Sequence, residues 1–210
     1  MLRLAPDGTA RVDIVDNFND LPLRGLAMVA VDMPIGLPDS GARRCDGLAR
    51  AVLPPERRSS VFLHFRRPLL GHADMASANR WAKADGKGIS VQAWNILPRI
   101  ADLDSWITPA RQRRVRESHP ELVFLALNGG APLPKKRTAE GLAVRRAVLR
   151  RHGLKDIDAL AASLIRKQAA VDDLYDAAAL ALAARRFARG EGTRLAAGRD
   201  SRGLRMEIWY

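Results

Sequence analysis

The sequence predicts an α/β domain, because short apolar runs typical of strands alternate along the chain with longer segments of helical character. Three observations carry this prediction: an opening hairpin pattern, a short apolar run over Leu26 to Asp32, and an alanine-rich stretch near the end of the chain. We expect one domain over residues 1–210, since no internal repeat and no linker divides the chain.

The first part of the chain predicts a hairpin and a buried strand. In LRLAPDGTARVDIVD the turn is supplied by Pro6-Asp7-Gly8. The continuous apolar run LAMVAVD, Leu26 to Asp32, is typical of a strand covered on both faces. A loop-rich stretch follows, with one helix expected around Cys45 to Val52.

The middle of the chain predicts a helix, a strand and a second helix. The first helix covers about Ser90 to Leu103, with Pro98 expected to kink it. A short strand is expected over Val115 to His119. Pro120 then suits the first turn of a helix, which Asn128-Gly129 would end.

The last part of the chain predicts three helices and a strand. The helices are Ala139 to Arg151, one after Ile157, and VDDLYDAAALALAARRFARG, which stops at Gly190. A turn at residues 200–203 precedes a strand over Leu204 to Tyr210.

Composition excludes several classes of protein. No apolar stretch approaches the roughly 20 residues needed to cross a bilayer, and the N-terminus lacks the apolar region of a secretory signal. The single cysteine, Cys45, cannot form an intramolecular disulfide, which favours a reducing compartment. We therefore expect a cytoplasmic protein without a membrane partner.

The net charge of +12 and the sequence pI ≈ 11.0 favour a polyanionic partner such as nucleic acid. The arginines are spread along predicted helices rather than gathered in one tail, and many such runs are solvated helix faces. Charge alone therefore favours a nucleic-acid partner only slightly.

Acidic residues in unusual settings suggest a metal site. Asp32 ends the apolar strand, Glu117 lies inside a predicted strand, and Asp173 and Asp176 are three apart on one helix face. Mg²⁺ prefers carboxylate oxygens, and two such ions can stabilise both oxygens of a phosphodiester displacement. The alternative is structural: Asp32 holds its own loop, Glu117 pairs with an arginine, and Asp172 caps a helix.

Several longer motifs resemble one family. The chain resembles the DUF429 family, described as predicted nucleases of ribonuclease H-like fold, over nearly its whole length. The segments in family order are VAVDMPIGLP, RRCDGLAR, RRSSVF, QAWNILPRI, ESHPELVFLALNGG, KKRTAEG, VDDLYDAAALA and GLRMEIWY. The resemblance implies a mixed sheet flanked by helices, with acids near its centre that bind Mg²⁺ or Mn²⁺. It implies that the catalytic and metal-binding residues are Asp32, Glu117, Asp173 and Asp176, facing one cleft.

The sequence departs from the family at its start. Family members usually open with an extra strand of the form G-V-D-G-C, which supplies a further aspartate. This sequence begins at Met1 within the following strand, so we expect the first strand to be missing. Either the start has been assigned too late, or the metal site is incomplete.

Other polar residues are candidates for contact with a substrate. The loop of arginines and serines suits phosphate binding but equally suits a solvated loop, and the lysines precede a helix N-terminus, which attracts anions. His119 is either a general acid or base or a structural histidine. The expected phosphate- or substrate-binding residues are Arg57, Arg58, Ser59, Ser60, Gln92, Asn95, Lys135 and Lys136.

The sequence thus predicts a metal-dependent nuclease or phosphodiesterase that acts on nucleic acid. The alternative is a catalytically degenerate ribonuclease H-like module that binds nucleic acid or a nucleotide, which the missing first aspartate supports. Action on a small phosphorylated metabolite is a weaker option, because the sequence has no glycine-rich phosphate loop.

Overall fold

The computed structural model describes residues 1–164 and 170–210, and it confirms the α/β class. The strands are β1 (Leu2–Leu4), β2 (Ala10–Val12), β3 (Val29–Val31), β4 (Val115–Glu117), β5 (Arg194–Arg199) and β6 (Arg205–Trp209). The helices are α1 (Arg44–Val52), α2 (Met75–Ala84), α3 (Val91–Trp106), α4 (Pro120–Leu127), α5 (Ala139–Arg151), α6 (Ile157–Ser163) and α7 (Val171–Ala188). In the described ranges, no helix has the length and apolar character needed to span a membrane.

The described strands form three pairs rather than the one continuous mixed sheet that we expected. β1 and β2 are an antiparallel hairpin, β3 and β4 are parallel, and β5 and β6 are antiparallel. A single parallel bridge between Ser118 and Trp209 connects the second pair to the third. Parallel and antiparallel pairing therefore both occur, but no strand of the described residues connects the hairpin to β3.

The β3–β4 pair lies between two layers of helices. Its register places Val31 opposite Glu117 and Ala30 opposite Arg116. Since neighbours across a ladder share a face, Val29, Val31 and Val115 pack together with Leu103 and Trp106 of α3. Ala30 faces the other way and packs in the cluster that contains the buried side of α7.

The composition of α7 explains how it reaches the sheet so closely. Ala178, Ala179 and Ala183 are buried, and the helix packs against α4, α5, β1 and β3. Alanine has the highest helix propensity and its short side chain permits close packing. The acids Asp172 and Asp173 in the first turn and the arginines in the last turn complement the helix dipole.

Two regular elements were not expected from the sequence. Helix α2 lies in a stretch for which no element was predicted from the sequence, and Asp74 caps it by accepting a hydrogen bond from the Ser77 amide at 2.8 Å. Strand β5 lies in the C-terminal tail before the predicted turn, and it forms because β6 supplies its partner. Neither has a strong periodic pattern of its own.

The loop after β3 is held close to β6. Gly36 has φ +77°, and a Cβ at this position would lie 3.0 Å from Met206 Cγ and 3.2 Å from the carbonyl oxygens of Leu204 and Arg205. Glycine is thus required both for the left-handed backbone and for the close approach. The loop that follows Asp32 is thereby fixed against the C-terminal hairpin.

We expect Gly36→Ala to lower the free energy of unfolding more than Gly41→Ala. Gly41 has a similar φ of +74°, but a Cβ added there would have no atom within 4 Å, so it is a matched control for backbone strain. The control should lose about 1 kcal/mol, and Gly36→Ala roughly 1–3 kcal/mol more because of crowding against β6. Urea denaturation measures both, and equal losses would contradict the close approach.

Candidate acidic cleft

An open cleft of about 1000 Å³ lies between the β1–β2 hairpin and the β3–β4 pair. Its walls come from β1, from the segments 14–18 and 25–28, from β3, and from one side of α7. Three of the four acids expected at the site line it, together with one expected lysine: Asp32, Asp173, Asp176 and Lys136. The cleft is therefore the candidate functional site.

Asp32 lies at the carboxyl end of β3 on the α7 side of the sheet. It is exposed to the solvent inside the cleft, while the surrounding protein displaces enough water to raise the pKa of its carboxyl group. The charges of His119 and Lys136 oppose this rise, and the nearby charge of Glu121 adds to it. Asp32 thus lies near both the ammonium of Lys136 and the carboxylate of Glu121.

Asp176 and Asp172, one helical turn apart on α7, both interact with Lys136. The Oδ2 of Asp176 accepts a hydrogen bond from Lys136 Nζ at 2.8 Å, and the same ammonium lies 3.6 Å from Asp172 Oδ2. The other oxygen, Asp176 Oδ1, is buried without a hydrogen-bond partner. Burial raises the pKa of Asp176, and the charges of Asp32 and Glu121 raise it further, although Lys136 opposes them.

Asp173 lines the cleft but is exposed, and its contacts are local. Its Oδ2 accepts a hydrogen bond from the Ala170 amide at 3.3 Å, so it caps the start of α7. The sequence offered Asp172 as a helix cap, but Asp173 has that role. Asp172 instead pairs with Lys136 and Arg137. Asp173 adds negative charge to the cleft rather than a second buried carboxylate.

Glu117 does not face the cleft, which corrects the expectation that the four acids converge. It lies opposite Val31, so its side chain projects to the face of the sheet away from Asp32. There it binds Arg43 Nη2 at 2.5 Å and accepts a hydrogen bond from the Ile35 amide at 2.7 Å. Its position agrees with the structural alternative, pairing with an arginine.

The Arg43–Glu117 pair is almost completely buried. Burial raises the pKa of Glu117 to about 8, although Arg43 favours its charged form. Burial likewise opposes the charge of Arg43, but the carboxylates of Glu117 and Asp46 more than offset this and raise the pKa of Arg43. Arg43 stays charged, because a guanidinium does not lose its proton in a protein, and its charge together with the Ile35 amide favours the carboxylate form of Glu117.

The arginine–serine loop lies apart from the cleft. Arg57 donates to the Leu133 carbonyl at 2.8 Å, Arg58 donates to the Leu53 carbonyl at 3.3 Å, and Ser60 donates to the Arg57 carbonyl at 2.7 Å. Ser59 is exposed. These bonds stabilise the segment itself, and none of its residues lines the cleft.

The remaining expected residues lie around the cleft rather than in it. Gln92 and Asn95 are exposed on α3, on the helix side that reaches the cleft further along at Arg99 and Asp102. Lys135 is exposed beside Lys136.

Glu121 lies behind the cleft, near Asp32 and Asp176, and was not expected there. Arg145, fully buried, donates to Glu121 Oε1 at 2.6 Å, and Arg57 Nε lies 3.6 Å from Glu121 Oε2. The charge of Glu121 raises the pKa of both Asp32 and Asp176. The signal was present in ESHPEL, where the second glutamate follows the strand on the first turn of α4.

His119 lies beside Asp32 at the start of α4. Its Nε2 is 3.2 Å from the Ser60 carbonyl, and its Nδ1 is buried without a partner. The charge of His119 lowers the pKa of both Asp32 and Asp46, so the ring lies between the cleft and the buried Arg43 cluster.

The acids fit an open metal site but not a closed one. Among residues 1–164 and 170–210, no three His, Cys, Asp or Glu side chains converge as a metal ligand set. Asp32 and Asp176 instead line the cleft as two neighbouring acids, with the charge of Asp32 raising the pKa of Asp176 and a buried oxygen of Asp176 unpartnered. Mg²⁺ at phosphate-handling sites is usually held by one or two carboxylates, with waters and substrate phosphates as further ligands. The pair suits that arrangement.

We expect Glu117→Leu to lower the free energy of unfolding by about 3–5 kcal/mol, because it removes the hydrogen-bonded counter-charge of the buried Arg43 and leaves only Asp46, 3.6 Å from its Nε. The double variant Arg43→Met with Glu117→Leu should recover part of this loss, because both charges of the pair are removed while the buried Asp46 loses its arginine. Glu191→Gln, at an exposed pair with Arg186, serves as the control in urea denaturation. A Glu117→Leu loss no larger than the control would contradict a buried ion pair.

We expect Asp32→Asn to lower the pKa of Asp176, because one of the charges that raise it is removed. The pKa of Asp176 is raised in the folded state, so its effect on stability becomes less favourable as pH rises above the ordinary aspartate value of about 3.9. Carboxyl NMR titration measures the shift. Glu191→Gln, beyond the far end of α7, should leave the pKa of Asp176 unchanged. An unchanged pKa of Asp176 in Asp32→Asn would show that the charge of Asp32 does not act on Asp176.

Comparison with known proteins identifies the family of this chain but no activity. The family model of DUF429, described as a protein of unknown function, matches residues 1–200. The chain has no significant match among curated proteins or among solved structures. The description names no activity, so nuclease activity and the ribonuclease H-like fold stay predictions. The match confirms what the motifs indicated: the chain belongs to the DUF429 family.

Proposed function

We propose that this protein is a phosphodiester hydrolase that acts on nucleic acid, with its reacting centre at the acidic end of the cleft. The observation that carries the proposal is the pair of Asp32 and Asp176. Asp32 is reached by solvent in an open cleft, and Asp176 has a buried oxygen without a partner. Mutually repelling carboxylates in such a setting favour a divalent cation.

The cation would be held by Asp32 and Asp176, and Mg²⁺ or Mn²⁺ suits their oxygens. A cation of this kind neutralises charge on a phosphate and lowers the pKa of a bound water. Lys136 supplies a fixed positive charge beside the pair. Although burial opposes its charge, the carboxylates of Asp176, Asp172 and Asp173 raise its pKa, so it remains protonated and attracts a phosphate.

Basic residues near the acids support a polyanionic substrate. Lys135 and Arg137 flank Lys136, and the side chain of Arg137 is 85% exposed although its Nε lies 3.7 Å from Asp172. On α3, the side chains of Gln92, Asn95 and Arg99 are exposed, and their spacing places them on one face of the helix. With a net charge of +12, this supports binding along a phosphate backbone.

One observation favours the alternative, a binding module without turnover. The ammonium of Lys136 already lies between Asp172 and Asp176, where it neutralises the carboxylates from within the chain. A site balanced by its own lysine has less need of a metal ion. Such a module would bind nucleic acid through the exposed basic residues, with strong dependence on salt.

Cleavage of labelled single-stranded and double-stranded DNA, RNA and DNA–RNA hybrid with Mg²⁺ or Mn²⁺ tests the proposal. We expect cleavage of at least one substrate and a loss of about 100-fold or more in Asp32→Asn and in Asp176→Asn, roughly 3 kcal/mol of transition-state stabilisation. Asp158→Asn, at an exposed pair with Arg146 and Arg150, is the matched control and should retain full activity.

The outcomes separate the two functions. Cleavage unchanged in both Asp32→Asn and Asp176→Asn would overturn this site. Salt-dependent binding in the absence of any cleavage would favour the binding module, and the absence of both would overturn nucleic acid as the partner.

A further inference from the structure

An irregular segment carries Lys136 into the cleft, and its backbone is anchored at successive residues. Residues 133–138, which we call the lysine segment, form neither helix nor strand. Irregular backbone must find its hydrogen-bond partners outside a regular ladder. Here three successive carbonyl oxygens, those of Leu133, Pro134 and Lys135, each accept a hydrogen bond from a side chain. The segment is thus held against its neighbours just before Lys136.

Two arginines hold the first two of these carbonyl groups. Arg57 Nη2 donates to the Leu133 oxygen at 2.8 Å. Arg145 Nη1 donates to the Pro134 oxygen at 2.7 Å. Both guanidinium groups also meet Glu121: Arg145 Nη2 donates to its Oε1 at 2.6 Å, and Arg57 Nε lies 3.6 Å from its Oε2. Glu121 therefore aligns two planar, forked side chains that reach the same segment.

The third carbonyl group packs against the start of α5. The hydroxyl and the amide of Thr138 both donate to the Lys135 oxygen, at 2.9 and 3.1 Å. Gly141 permits the approach, because a Cβ at this position would lie 2.7 Å from the Lys135 carbonyl carbon and closer still to its oxygen. That separation is well below van der Waals contact. A larger residue at position 141 would therefore displace the lysine segment.

The lysine segment places the ammonium of Lys136 at the acidic end of the cleft. Its Nζ donates to Asp176 Oδ2 at 2.8 Å and lies 3.6 Å from Asp172 Oδ2. The side chain is 36% exposed and lines the cleft. An ammonium has three donors, and the hydrogen bond to Asp176 uses one of them. Lys136 can therefore donate to a phosphate oxygen in the cleft while the acids keep it in place.

We propose that Glu121 and its two arginines are positioning residues, which act through the lysine segment to hold Lys136 ready for a backbone phosphate of nucleic acid. A long, flexible side chain loses conformational freedom when it binds, and anchoring it beforehand reduces that loss. The proposal rests on the proposed function for its ligand, nucleic acid, but not for cleavage. It gives the arginine–serine loop a role in the cleft without contact between that loop and the substrate.

The probe is a fluorescein-labelled single-stranded oligothymidylate, whose binding is measured by fluorescence anisotropy over a series of salt concentrations without divalent cation. Lys136→Gln should weaken binding about tenfold at roughly 0.1 M salt and reduce the slope of log Kd against log salt by about 1, because one phosphate contact is lost. Gly141→Ala should have the same effect although it removes no charge. Gly47→Ala, on α1, is the matched control and should bind normally, because a Cβ added there has no atom within 4 Å.

Two further variants separate positioning from general damage, with circular dichroism to check that the fold is kept. Arg57→Lys keeps the charge but loses the fork that joins the lysine segment to Glu121, so binding should weaken in the same way. Arg58→Lys is its control, because Arg58 is exposed and donates to the Leu53 carbonyl instead. Gly141→Ala combined with Lys136→Gln should bind as weakly as Lys136→Gln alone, since both changes act on one contact.

The proposal is overturned if the unaltered protein does not bind the oligothymidylate, or if Lys136→Gln leaves the salt slope unchanged. It is also overturned if the folded Gly141→Ala and Arg57→Lys variants bind like their controls, or if the losses of the glycine and lysine variants add. Should Gly141→Ala fail to fold, Arg57→Lys decides between these outcomes. Absence of cleavage with these binding effects present would support the positioning role and remove only the hydrolysis.

Discussion

The register of the parallel β3–β4 pair determines which charges meet in this protein. With Val31 opposite Glu117, Asp32 is the next residue and projects to the other face, towards α7. A slip of β3 by one residue would turn its side chains to the other face, placing Asp32 on the side of the buried arginine cluster while Glu117 stayed where it is. The apolar contacts of Val31 and Val115 with α3 hold the register. The acidic cleft and the ion pair behind it therefore depend on one ladder.

Three arginines of the described residues lie in the interior of the protein. Arg43, Arg66 and Arg145 are fully buried, and each has an acidic partner. A buried ion pair is a weak source of stability, but removing one partner is costly. These arginines fix positions: Arg43 and Glu117 secure the loop after β3 through the Ile35 amide, and Arg145 orients Glu121. Because each of these arginines is matched by an acid, the net charge of +12 is carried by other residues.

The cleft combines two features that an ordinary domain interior avoids, neighbouring carboxylates and open strand edges. Each is unfavourable unless something covers or neutralises it. Lys136 neutralises part of the acidic end from within, while the edges of β1 and β3 have no such internal solution in the described residues. The acidic end of the cleft suits phosphate chemistry, which is the role proposed for it.

Local pattern predicted the α/β class, the hairpin, α1, α5, α7 and the family, because turn residues, apolar periodicity and long motifs are properties of neighbouring residues. It also selected Asp32, Asp176 and Lys136. It missed α2 and β5, whose signals are weak or depend on a distant partner, and it placed Glu117 with the other acids. Which face an acid occupies, and whether an arginine lies there, are set by register and by packing between segments far apart in the chain. Only the tertiary structure decided those, because spacing along a chain does not encode the strand it will pair with.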